Sequence, residues 1–148
     1  MIDEHLNELS CKIFIEADPA RRDLTELLTE GATSEVSSGP ASSVIKSAMG
    51  ELELRRNDDR DQVSARQFPD GFLHFQFVLE FYRRPDVKHE EEVDYVARLL
   101  DLLWSRMFPA VASCDYENEL PHHGGYKDAS LPWPSTILTG NLWPEHSR

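Results

Sequence analysis

The sequence predicts an α+β fold in which strands and helices follow one another as β-α-β-β-α-β, and two stretches carry that prediction. The first is the alternation across residues 71–82. Leu73, Phe75, Phe77, Leu79 and Phe81 fall on one face, and His74, Gln76, Glu80 and Tyr82 fall on the other. The second is the recurrence of Val93, Val96, Ala97, Leu100, Leu103, Trp104 and Met107 at helical spacing behind three glutamates, Glu90, Glu91 and Glu92, which suit a helix N-terminus. A central strand with five large apolar groups on one side needs helices over that side, so its other face is where function is sought.

The remaining elements follow in chain order. Cys11 to Glu16 alternates as a first strand with Cys11, Ile13 and Ile15 inward and Phe14 on the other face. Asp18-Pro19 reads as an N-cap followed by proline, and Leu24, Leu27 and Leu28 recur as one helix face until Gly31 offers a stop. Residues 33–43 are rich in Ser, Gly and Pro and predict a loosely packed connection. A second strand is expected over residues 45–56, where Leu52 and Leu54 alternate with Glu51, Glu53 and Arg55. The charged run 57–62 and the turn Phe68-Pro69-Asp70-Gly71 make a long connection to the central strand. Pro109 stops the second helix, and residues 110–116 read as the last strand.

This order is that of the ferredoxin-like fold: a four-stranded antiparallel sheet with two helices on one face. In that topology the first and last strands are antiparallel neighbours, which brings Cys11 towards Cys114. The 148 residues form a single domain, with an α+β core over residues 10–119. Residues 120–148 form an irregular wrap: prolines and glycines exclude long elements, while Tyr126, Leu131, Trp133, Ile137, Leu138, Leu142 and Trp143 carry too much apolar area to lie in water.

A formal net charge of −12 and a pI near 4.8 oppose nucleic acid and anionic membranes and favour a basic protein partner. No apolar run is long enough for a membrane span, and residues 1–5 lack the pattern of a signal peptide, so the expected location is cytoplasmic. Two cysteines make no disulfide framework, and a reducing compartment keeps both as thiols.

The densest polar constellation runs from Cys114 to Tyr126. In an extended backbone Asp115, Glu117 and Glu119 share a side, and His122 and His123 follow, a set of oxygen and imidazole donors that lacks the spacing of any established metal motif. No metal or cofactor is therefore expected. A catalytic pairing of Cys114 with His122 or His123 is disfavoured, because neighbouring carboxylates raise a thiol pKa. Gly124-Gly125 lacks phosphate-loop spacing, and Arg55-Arg56 and Arg83-Arg84 read as solvated or salt-bridged pairs. With no catalytic set, the reading leans away from an enzyme. Residues 86–119 hold nine acidic side chains against three basic ones, half of the net excess; the glutamates at the helix start explain themselves, whereas Asp115, Glu117 and Glu119 do not.

Arg55-Arg56-Asn57-Asp58-Asp59, Phe68-Pro69-Asp70-Gly71-Phe72-Leu73 and the segment from Cys114 to Tyr126 resemble, at class level, the bacterial immunity proteins of polymorphic and contact-dependent toxin systems. That resemblance implies a stoichiometric inhibitor that neutralises a basic toxin domain, often a nuclease, by electrostatic mimicry of its substrate. The expected partner surface has Asp115, Glu117 and Glu119 at its centre, with His122 and Tyr126 as anchors. The alternative is a small-molecule enzyme or binding protein that uses the open sheet face around Phe14, Glu53, His74, Gln76 and Glu80. A third reading is self-association through a sheet edge.

Overall fold

The computed structural model describes residues 7–17, 23–32, 36–38 and 42–134. Six strands form one antiparallel sheet, in the order β2-β3-β4-β5-β1-β6: β1 (Glu8–Ile15), β2 (Val36–Ser38), β3 (Ser42–Ser47), β4 (Gly50–Arg56), β5 (Phe77–Arg83) and β6 (Ala110–Ser113). Among the described residues there are two helices of α type, α1 (Asp23–Ala32) and α2 (His89–Ser105). The run β6-β1-β5-β4 keeps the ferredoxin-like order, and the β2–β3 hairpin is inserted between α1 and β4. The sheet thus has six strands where four were expected.

The alternation of β1, β4 and β5 sends Cys11, Ile13, Ile15, Leu52, Leu54, Leu79 and Phe81 to one side, where they meet Leu24, Leu27 and Leu28 of α1 and Val96, Leu99, Leu100 and Leu103 of α2 in one core. Both helices therefore cover the same face. Several of these side chains are wholly buried, and each such Leu or Phe contributes about 1.5–3 kcal/mol. The apolar stripe of α2 was legible in the sequence, except that Met107 lies beyond the helix end with φ of 66° and is exposed. The helix starts as its glutamates suggest, with the Lys88 amide donating to Glu91 Oε1 at 2.9 Å.

Four local expectations are corrected. The single strand over residues 45–56 is a hairpin of β3 and β4. It turns at Ala48-Met49, because Ser47 Oγ accepts the Met49 amide at 3.2 Å and Gly50 takes a φ of 146°. A side chain at Gly50 would put its Cβ 2.0 Å from the Tyr82 carbonyl oxygen. The Ser-rich connection contains β2 and the start of β3, for serine interrupts hydrophobic alternation without preventing strand pairing. The last strand stops at Ser113, residues 117–119 form a 3-10 turn, and residues 121–125 form a kinked turn in which His122, His123 and Gly124 take positive φ.

The fourth correction concerns the central strand, which begins at Phe77 instead of Gly71; Asp70–His74 is a 3-10 turn. Asn57 causes the curl. Its side-chain amide donates to the carbonyls of Leu73 (2.8 Å) and Phe75 (2.9 Å), and its backbone amide donates to Gln76 O at 2.9 Å. Leu73 is consequently exposed, and Phe75 turns into a second, smaller core on the opposite face of the sheet. That core joins Phe75, Ala65, Val111 and Trp133, with Phe14 and Phe72 against it. Trp133 thus lies on the face away from the helices, whereas Tyr116, Leu120 and Leu131, also after β6, pack with the main core. The expected N-cap at Asp18-Pro19, and the later wrap with Ile137, Leu138, Leu142 and Trp143, lie outside the described residues.

Candidate functional site

The lobe between β4 and β5 is built to hold apolar side chains outward. Asp61 closes its first turn: Oδ2 accepts the Ser64 amide at 3.3 Å and the Ser64 hydroxyl, and these bonds hold the exposed Asp61 carboxyl below its usual pKa. Gly71 packs where a Cβ would lie 2.5 Å from Ser64 O and 2.8 Å from Ala65 O, so only glycine fits. The Asp61 amide donates to His74 O at 3.0 Å, and the His74 ring meets Asp59 O through Nδ1 at 2.9 Å.

On this scaffold Val63, Phe68, Leu73 and Tyr126 are exposed, with Phe68 at 45% and Leu73 at 47%. The two aromatic rings among them are held in place. Phe68 meets Trp133 edge-on at 5.1 Å, Trp133 meets Phe75 at 5.3 Å and donates from Nε1 to Arg66 O at 2.9 Å, and Phe72 touches both Phe14 (5.3 Å) and Tyr126 (5.7 Å). The Tyr126 hydroxyl donates to Asp70 Oδ1 at 2.6 Å, which raises the Tyr126 pKa. Exposed Asp58, Asp59, Asp61 and Asp70 lie on the same lobe, with Arg60 and Arg66 as its basic residues.

The expected partner residues do not line one side of a strand. Asp115 is exposed; Glu117 accepts the Cys114 amide at 3.0 Å; Glu119 accepts from His89 Nε2 at 2.9 Å, a bond that raises the His89 pKa. His122 pairs with Asp128 at 2.6 Å and stands edge-on to Trp104. His122 and His123 have φ of 54° and 52°, and a Cβ on Gly125 would lie 2.8 Å from Ala110 O, so the turn closes over the edge of β6. Only Tyr126 reaches the aromatic lobe. Glu117, Glu119 and His122 are thus engaged within the chain, and among the described residues no group of three or more His, Cys, Asp or Glu side chains is placed to hold a metal ion.

The alternative pocket residues are also separated. Phe14 lies beneath Phe72, His74 meets Asp59, and the Gln76 amide donates to Glu16 Oε1 at 2.9 Å. Glu53 and Glu80 are cross-strand partners on β4 and β5. Burial alone would raise the Glu80 carboxyl, but the hydrogen bonds from Arg55 (3.1 Å) and the Tyr82 hydroxyl (3.0 Å), together with the charges of Arg55 and Lys12, bring it below its ordinary value. Burial, followed by the bond to Glu80, pushes the Tyr82 phenol up to about 12.

Sequence reading missed a polar corner where β1, β6 and α2 meet. Ser10 is the extra residue of a β-bulge, since Leu9 pairs with Tyr82 and Cys11 with Phe81. The bulge turns its hydroxyl to Glu92 Oε2 and to the Tyr116 hydroxyl at 2.6 Å. Arg83 Nε and His89 Nδ1 each lie 3.3 Å from the buried Glu92 carboxylate. With both oxygens engaged, Glu92 ties the start of α2 to the sheet and is not a free base. The weak break in alternation at Leu9-Ser10 was its only sequence signal.

No protein-family model, no curated protein and no solved structure matches this chain. No helix among the described residues is long and apolar enough to cross a membrane.

Proposed function

We propose that the protein is a non-enzymatic, protein-binding inhibitor: an immunity protein that neutralises a basic toxin domain, a nuclease being the substrate-mimicry case. The observation that carries this reading is the group of exposed apolar side chains, Phe68, Leu73 and Tyr126, of which Phe68 and Tyr126 are held in place by Trp133, Phe72 and Asp70, set among aspartates on a chain of net charge −12. Aromatic anchors already held in place lose little side-chain freedom on binding, and acidic neighbours steer a basic partner towards them. Asp115, Glu117 and Glu119 add acidic charge past the other end of β6, and His122 and Tyr126 lie on the segment that returns from there to the lobe. The small-molecule reading has less support, because Phe72 and Trp133 occupy the sheet face beside Phe14 and Val111, and the Glu80 carboxylate is engaged by Arg55 and Tyr82.

The test is co-purification of the tagged protein from its native host at low and high salt, followed by an activity assay of the captured species. The expected result is one basic protein in near-stoichiometric amount, released by salt, whose activity the wild type suppresses. Phe68→Ala and Tyr126→Ala weaken that binding about tenfold or more each, at unchanged circular dichroism. Asp115→Lys and Glu117→Lys lower the association rate. Binding that ignores all four substitutions rejects this surface, and a captured protein left fully active rejects inhibition.

A further inference from the structure

Cys11 and Cys114 stand on neighbouring antiparallel chains. Lys12 pairs with Ser113 in the β1–β6 register; one further step of that register, just past the end of β6, sets Cys11 against Cys114, and both pack against the main core. The Cys11 thiol donates to Lys12 O at 3.6 Å, and Cys114 packs beside Cys11 against the main core, close enough for the two thiols to shift each other's titration. Opposed positions of this kind hold Cβ atoms about 4.5–5.5 Å apart, and a disulfide needs about 3.5–4.5 Å, so closing the bond requires only a small inward shift. We propose that this pair is a dithiol oxidised to an intramolecular disulfide by a low-molecular-weight disulfide, which staples the segment after β6 to the start of β1.

The two sulfurs are unequal in a way that fixes the order of events. Cys11 is 1% exposed, whereas Cys114 is half-buried at the strand end and open to a small reagent. The neighbouring Cys11 thiol and the Tyr116 amide outweigh burial and the carboxylates of Glu117 and Asp115, and hold Cys114 below the ordinary thiol value. This corrects the expectation that those carboxylates decide its titration. The neighbouring Cys114 thiol and burial push Cys11 well above that value. Cys114 is therefore the attacking thiolate. It displaces one half of oxidised glutathione, forming a mixed disulfide and releasing a glutathione thiolate. That thiolate takes the proton of Cys11, whose sulfur attacks Cys114 Sγ and expels the second glutathione. Two protein thiols lose two electrons in all, and one glutathione disulfide becomes two thiols.

The inference is independent of the docking reading and is tested on the folded full chain. Wild type, Cys11→Ser and Cys114→Ser are incubated in buffers of graded reduced and oxidised glutathione, quenched by alkylation and weighed by mass spectrometry. The wild type is expected to go from two alkylated thiols to none as a monomer, with Tm raised by about 5–10 °C. Cys11→Ser stops at one glutathionyl adduct, and Cys114→Ser reacts at least about tenfold more slowly. The proposal is overturned by thiols that stay alkylatable across the series, by a wild type that stops at the adduct, by equal rates in the two variants, or by oxidation seen only when urea is added.

Discussion

Glu16 offers a quantitative test of the structure through pH. The residue follows β1, donates its amide to Pro109 O at 3.0 Å, and buries most of its carboxylate against the chain entering β5, where the Gln76 amide is its hydrogen-bond donor at 2.9 Å. Burial raises its pKa from 4.5 to about 7, and that single bond offsets only part of the effect. A carboxyl with a raised folded pKa binds more protons folded than unfolded. Its contribution to stability is complete below the unfolded value and is lost as pH rises through the folded one. At about 1.4 kcal/mol per unit, the shift amounts to about 3 kcal/mol at most, and the part of the group still touching water brings it to about 2–3 kcal/mol. Glu16→Gln keeps an oxygen for the Gln76 amide and removes the titration. The assay is urea unfolding followed by tryptophan fluorescence, for wild type and variant, from about pH 5 to about pH 8 at fixed ionic strength. Other titrating groups cancel in the difference. The variant should exceed the wild type by less than about 1 kcal/mol near pH 5 and by about 2–3 kcal/mol near pH 8. A flat difference, or a variant that loses ground as pH rises, refutes the buried placement of this carboxylate.

Two further substitutions probe the opposite face of the sheet. Trp133→Ala removes a 7% exposed indole that touches Phe68 and Phe75, and should cost about 3 kcal/mol in urea unfolding while freeing Phe68 and so weakening the proposed partner binding. Arg55→Ala strips the closest cation from Glu80 and should cost about 1–3 kcal/mol near neutral pH; the loss should shrink in acid as Glu80 protonates, which a pH series of urea midpoints checks.

What was legible in the sequence was whatever a local period encodes. The stripe from Val93 to Trp104 specified α2 because those side chains share a helix face whatever the rest of the chain does, and Leu79 and Phe81 specified the core side of β5 in the same way. The facing of Cys11 and Cys114 was legible one step later, once strand order was known. Illegible were features set by partners distant in sequence. Phe72, Leu73, His74 and Phe75 continue the alternation of β5, yet two hydrogen bonds from Asn57, more than fifteen residues away, bend them out of the sheet. The Cys114 to Tyr126 constellation was singled out by composition, and its geometry was misjudged for a related reason: Glu119 and His122 spend their hydrogen bonds on His89 and Asp128. The hairpin at Ala48-Met49 did have a signal, since Gly50 sits where only glycine can follow a tight turn.

The division of the sheet face opposite the helices follows from where the insertions fall. A ferredoxin-like sheet with both helices on one side leaves its other side to be covered by whatever the connections supply. Here the β4–β5 connection and the chain after β6 cover the end where Phe14 and Val111 lie, because those are the open-face side chains with apolar area to bury. Further along the same strands the row Lys12, Glu80 and Glu53 replaces them, and Glu80 is charged while 7% exposed. A like-charged neighbour directly across the strand makes that burial costly unless a cation is held close, which accounts for Arg55 at 3.1 Å and Lys12 at 3.9 Å. The aromatic lobe therefore stops where the carboxylates begin. Extending it over Glu80 would remove the water that still screens this cluster, whereas ending it beside Phe14 leaves Phe68, Leu73 and Tyr126 as an exposed rim of a core that is otherwise closed.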